Sequence, residues 1–198
     1  QADFYPEAML NLNDGAGMFR QLGRLALMQG LHGKGDGDEV YTTILNLLDE
    51  IRRNAQQMGL NTSLDVHITG SWAGGTGSGL VMDIAWLVRK IASRNDPNAS
   101  PFITGFFALP SALEAAPHIS KRMKAFATWR EMNRMMTIRE KENEFIMRWG
   151  PQNSTAFTVN KPVYEHIYLV DSGVGPVGTP PERSVFPVMA EAISFYID

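Results

Sequence analysis

The stretch "HITGSWAGGTGSGLVMDIAWLVRK", His67 to Lys90, decides how the rest of the chain is read. It passes from an alternating apolar segment, through a glycine cluster, into the pattern of an amphipathic helix. Five glycines fall between Gly70 and Gly79. Glycine is entropically costly to order, so this density signals something that must come close to the backbone. Successive glycines let amides turn toward one point, and a helix starting near Gly79 would add its positive N-terminal dipole. Thr76 and Ser78 would add hydroxyl donors. The set suits a phosphate chain, which needs many short hydrogen bonds and no side chain in the way. The competing reading is a tight strand-to-helix turn whose small residues merely allow close packing.

Working outward, "SLDVHIT" (63–69) reads as the strand feeding the cluster, with a helix from about Gly79 to Ser93 after it. Upstream, Phe19, Leu22, Leu25 and Leu27 are spaced for a short helix stopping at Gly30. Val40, Ile44, Leu47, Leu48, Ile51 and Ala55 follow the i, i+3, i+4, i+7 rule for a second helix, from near Asp38 to Gly59. Downstream, "FITGFFAL" (102–109) predicts a strand, and Ser120 to about Arg148, free of proline and glycine, predicts one long helix. "PQNSTAFTVNKP" reads as a loop and "EHIYLVDSG" (165–173) as a third buried strand. "RSVFPVMAEAISFYI" reads as a closing helix with Pro187 near its first turn. Alternating strands and helices predict an α/β fold, a three-layer Rossmann-like parallel sheet with helices on both faces. Residues 1–198 read as a single domain.

Bulk properties narrow the function classes. Hydrophobic residues make up 44% and charged residues 20% of the 198, ordinary for a globular protein. A net charge of −3 gives no electrostatic case for nucleic acid as a partner. The chain has no cysteine, which excludes disulfides and thiolate metal sites and fits a reducing, cytoplasmic compartment. "PFITGFFALP" (101–110), the longest apolar stretch, is about half a membrane span, so no membrane span is expected. Four scattered histidines show no metal spacing. The glycine cluster matches neither the G-x-x-x-x-G-K-[ST] loop nor a dinucleotide-binding G-x-G-x-x-G, and no G-x-S-x-G elbow surrounds Ser71 or Ser78.

The cluster does resemble another motif. "AGGTGSG" (Ala73 to Gly79) closely matches the tubulin signature G-G-G-T-G-S-G and its FtsZ equivalent G-G-G-T-G-T-G, with Ala73 at the first glycine. "GAGMFRQLGR" (Gly15 to Arg24) repeats the FtsZ spacing of G-A-G, five residues, G-R. "PSALE" (Pro110 to Glu114) resembles the FtsZ segment P-F-x-x-E, and "KRMKAFA" (Lys121 to Ala127) resembles the helix start that follows, displaced by about four residues. Three motifs in family order cover most of the chain, which thus resembles the tubulin/FtsZ superfamily, in particular divergent bacterial tubulin-like proteins.

That resemblance implies a partial tubulin/FtsZ-type nucleotide-binding domain that takes GTP or GDP with Mg2+. On its model Ala73, Gly74, Gly75, Thr76, Gly77 and Ser78 cradle the phosphates, and Gly15, Ala16 and Gly17 approach the terminal one. Pro110 and Glu114 lie at the ribose, and Arg122 is the arginine of the helix start. Ser172 stands where the family reads guanine with asparagine, and Glu191 where its central helix carries a base-contacting polar residue. The family's first phosphate loop and its acidic loop are expected outside this chain, which reads as the middle of a GTPase domain. The resemblance therefore implies self-association into protofilaments, GTP hydrolysis only in the assembled full-length protein, and none by this chain alone. A non-hydrolysing tubulin-like scaffold and an unrelated α/β enzyme holding another phosphorylated ligand are the alternatives. Arg20 and Arg24 are further phosphate candidates, with salt bridging as the commoner role. Replacing Gly77 by valine is expected to abolish nucleotide binding and leave the fold in place.

Overall fold

The computed structural model describes residues 19–31, 39–60, 63–94, 100–113, 119–139, 142–149, 156–171 and 181–197. Helices α1 (Arg20–Leu31) and α2 (Glu39–Gln57) come first, then strand β1 (Asp65–Ser71) and helix α3 (Gly75–Ala92). Strand β2 (Phe102–Ala108) follows, with the short α4 (Pro110–Leu113) and the long α5 (Ile119–Met136). Strands β3 (Phe145–Arg148), β4 (Ala156–Val159) and β5 (His166–Val170) precede the final helix α6 (Pro181–Ile197).

The sheet is parallel, in the order β1-β2-β5. Asp65 to Ser71 align with Phe102 to Ala108, and Thr104 to Ala108 align with His166 to Val170. Alternation along β2 sends Ile103 and Phe107 to one face and Phe106 and Ala108 to the other. On the first face they meet α3, whose Ala85, Trp86, Leu87, Val88 and Ile91 are all buried, and behind it α1, α2 and α5. On the second face Phe106 and Ala108 pack against Val185 and Met189 of α6. Helices thus flank the sheet on both faces, as the alternating pattern requires. A fully buried aliphatic or aromatic side chain contributes about 1.5–3 kcal/mol, so α3, buried nearly all round, is the element on which the rest condenses. Its last turn is held by Arg89, which donates to Glu165 at 2.7 Å and to the Pro101 carbonyl at 3.1 Å, while Glu165 also accepts the Ile103 amide at 2.6 Å.

Four local expectations are corrected. Helix α3 starts at Gly75, inside the glycine cluster and not after it, with Gly74 as its N-cap. The long helix ends at Met136, and Phe145–Arg148 instead forms an antiparallel ladder with Ala156–Val159, which the sequence reads as loop. Long-range pairing overrides local helical preference there, because the hairpin has α3 to pack on: Trp86 meets Phe145 edge-on, and Lys90 lies over the Trp149 ring. Strand β5 is an edge strand among the described residues, with Tyr168 and Leu169 each 42% exposed, so it is only partly buried. Pro187 falls in the second turn of α6, since that helix already begins at Pro181.

Candidate functional site

Parallel pairing places the carboxyl ends of all three strands, Ser71, Ala108 and Val170, on one rim of the sheet. Loops leaving this rim are tied to one another. The Trp72 amide donates to the Ala108 carbonyl at 3.0 Å, and the Leu109 amide to the Val170 carbonyl at 2.9 Å. The Ser111 hydroxyl donates to the Asp171 carboxylate. Ligands of open α/β sheets bind at such a rim.

The glycines of the cluster divide by what surrounds them. A Cβ on Gly77 would stand 2.4 Å from the Ser71 carbonyl oxygen, and one on Gly79 would stand 2.3 Å from that of Arg20. Gly23 of α1 is also too close for a side chain, its Cβ position 2.8 Å from the Gly75 carbonyl oxygen. These positions are glycine because backbones touch, so the packing reading accounts for them. Gly74 is different. It is the N-cap of an 18-residue helix, with φ −94° and ψ 170°, no side-chain cap, and nothing within 4 Å of a Cβ placed there. Ordinary caps of this kind carry Ser, Thr, Asp or Asn. Here the N-cap offers the first turn of α3 no side chain and leaves open space at its own position, which suits an anion supplied from outside.

Neighbouring groups of the cluster are spoken for. The Ala73 amide donates to the Ser71 hydroxyl at 3.0 Å, and the fully buried Ser78 hydroxyl donates to the Gly74 carbonyl. The Ser78 hydroxyl thus bonds within its own helix, across the first turn of α3. Gly74, Gly75 and Gly77 remain as backbone in the first turn, where any α-helix has amides without intrahelical acceptors.

Pro110 and Arg122 are brought together. They line a cavity of about 420 Å³ with Trp72, Leu109, Phe126 and Trp129, between the rim and α5. Arg122 is exposed and makes no ion pair among the described residues. Trp72 is 1% exposed, and its indole N–H has no acceptor among the described residues. Glu191 sits exposed on α6, across the sheet from α3, and lines neither cavity described here. Gly15, Ala16, Gly17, Glu114 and Ser172 lie outside the described residues. The chain that follows Gly17 does arrive at the cluster: Arg20, the first residue of α1, donates from Nε to the Ser78 carbonyl at 3.2 Å.

Arg20 and Arg24 are ion-paired, the commoner of the two roles open to them. Arg20 reaches Glu131 of α5 at 2.5 Å, and Arg24 reaches Asp83 of α3 at 3.0 Å. Asp83 also accepts the Trp149 indole N–H at 3.0 Å. Burial raises the Asp83 carboxyl above its ordinary value, against the opposing pull of Arg24. Both pairs border a second cavity of about 360 Å³ that includes Met82, Trp86 and Met147. Sequence reasoning also passed over Lys124. Its ammonium is buried and has no hydrogen-bond acceptor among the described residues. Burial lowers its pKa, with Lys121 adding to the effect. In sequence it is one cation among several on α5, so only its surroundings single it out.

Among the described residues no helix is long and apolar enough to cross a membrane, and no three His, Asp or Glu side chains gather as a metal site. A family model described as tubulin-like matches residues 5–193. No curated protein and no solved structure matches the chain.

Proposed function

Given that the chain belongs to the tubulin-like family, we propose that it is the guanine-nucleotide-binding region of a polymerising GTPase, with the nucleotide's phosphates at the N-terminal turn of α3. The observation that carries this reading is the bare N-cap. Gly74 leaves the positive end of a long buried helix uncapped, at the carboxyl rim of a parallel sheet, in the middle of the "AGGTGSG" motif. An uncapped helix end at a ligand-binding rim is stabilised by an anion, and a phosphate chain is the anion the family motif implies.

The described residues divide the work. First-turn backbone at Gly74, Gly75 and Gly77 would hold phosphate oxygens, and Thr76, exposed beside them, stands within the same turn. Arg122 and Pro110 would meet the sugar side, where the cavity between rim and α5 offers apolar walls and a guanidinium with no ion pair among the described residues. Magnesium, when bound with the nucleotide, would shield phosphate charge. Hydrolysis in this reading requires a neighbouring subunit, because phosphoryl transfer to water depends on positioned groups that the motifs of this chain do not supply.

Calorimetric titration with GTP, ATP and buffer alone tests the binding step. GTP is expected to bind and ATP to bind more weakly, and silence from both nucleotides would remove the proposal.

A further inference from the structure

The outward face of α5 is apolar and cationic, where a helix that only meets water would mix both signs of charge. Ile119, Met123, Phe126 and Trp129 are between 48% and 69% exposed, while the opposite side of the helix buries Ala125, Thr128 and Met132. Spacings of four and three residues put Ile119, Met123 and Phe126 in one stripe, with Arg130 four residues beyond Phe126 on the same line. Phe126 and Trp129 stack with ring centroids 5.9 Å apart, so they present one aromatic surface. Arg122, Arg130 and Arg134 are exposed on this helix and make no ion pair among the described residues. The one acid of α5, Glu131, is taken by Arg20.

The stripe runs into a groove. Leu169 of β5 registers with Phe107, so it lies on the face of the sheet that α3 and α5 cover. It stays half-exposed there, because β5 is the edge strand among the described residues and the helix layer stops at α5. Leu169, Phe126 and Trp129 border the cavity of about 420 Å³ between them. The nucleotide reading uses the rim end of that cavity, at Pro110 and Arg122. Trp129 lies seven residues on from Arg122, about 10 Å farther along the helix, and has no part in it. Exposed apolar patches with a polar border mark interaction sites, and aromatic residues, Met and Arg are the types that interfaces gather.

We infer that this groove docks an acidic amphipathic helix of a partner protein, laid beside α5 and over β5 as the next member of the helix layer. Charge complementarity selects the occupant. Three arginines without a counter-charge flank an apolar stripe that carries no carboxylate. The matching helix therefore has apolar side chains at i, i+3, i+4 and i+7 on one face and Asp or Glu beside them. Phe126 and Trp129 supply the central contact, and the arginines set approach and register at its edge. A bilayer matches less well, since a flat surface does not fill the cavity over Leu169 and the chain's net charge of −3 opposes an anionic one. The inference does not depend on where the nucleotide binds.

Fluorescence anisotropy with a labelled peptide tests it. The probe has about 18 residues, the length of α5, with Leu and Phe on one helical face and Glu on the other. Its control replaces every Glu by Lys. The acidic peptide is expected to bind, less tightly as salt rises, and the basic one to bind roughly tenfold more weakly or worse. Phe126→Ser should lower the affinity roughly tenfold, and the double variant Arg130→Glu, Arg134→Glu should reverse the preference between the peptides. All three positions are exposed, so the variants should melt within a few degrees of wild type. The charge-reversed pair decides the matter should Phe126→Ser fail to fold. Unchanged peptide affinity in a folded charge-reversed variant would overturn the inference, as would a wild type that binds neither peptide. Sedimentation showing self-association that Phe126→Ser abolishes would give the face to a second copy, and a preference for phosphatidylglycerol vesicles over the acidic peptide would give it to a membrane; either result overturns the inference.

Discussion

Within four residues glycine serves two purposes, and the distinction changes which substitutions inform. Gly77 is glycine because the Ser71 backbone leaves no room, whereas Gly74 has open space where a side chain would be. Gly77→Val therefore forces β1 and α3 apart instead of merely blocking a ligand. It should cost about 1–3 kcal/mol or more, read as a lower urea midpoint, and any loss of binding would follow from that. Asp83 offers a second test at this scale. A carboxyl whose native pKa is raised binds its proton more tightly folded than unfolded, so the native state loses stability as pH rises from the ordinary 3.8 through the raised value. Asp83→Asn keeps an acceptor for Trp149, and Arg24, whose side chain is 44% exposed, can turn to water. The variant should show a flatter dependence of unfolding free energy on pH above 4 and no loss at neutral pH. A steeper dependence, or a large loss at pH 7, would show that the ion pair outweighs the burial.

The β3–β4 hairpin distinguishes this α3 from a helix with a solvated outer face. Trp149 is 3% exposed, bonds Asp83, stacks with Phe157 and lies beneath Lys90. Trp149→Ala should cost about 3–5 kcal/mol in equilibrium unfolding, and a cost under 1 kcal/mol would mean the hairpin only rests on the surface. This element was also the least legible in the sequence. The β-strands of the sheet announce themselves by short apolar runs bounded by turns, and "FITGFFA" lands as β2 within a residue. "FIMR" and "AFTV" are only four residues each, too short to show a strand period, and their strand character comes from pairing and from α3 beneath them. Met and Arg locally favour helix, so the sequence pattern continues the long helix through them. The site was legible in the same uneven way. The motif located the rim and the bare turn, but not which amides were already used, because the Ser71 and Ser78 hydroxyl bonds are set by folding.

Across the described residues, one end of the sheet collects the start of α3 with its glycine N-cap, the cavity beside Arg122 and the arrival of α1. The opposite end is closed by the Arg89–Glu165 pair. This polarity suits a nucleotide at one end of a subunit, where a second subunit could cover it. On the proposed function, the protein should sediment in GTP and stay in the supernatant in GDP, and equal pelleting in both would detach assembly from the nucleotide. The most direct test of the account lies at the cap itself. Gly74→Asp places a good N-cap side chain where the structure has room, so the free protein should melt at or slightly above the wild-type temperature. Its carboxylate would occupy the place proposed for the phosphate, and GTP titrated calorimetrically should bind the wild type and leave Gly74→Asp silent; GTP binding to both with equal affinity would contradict the claim that the end of α3 holds the anion.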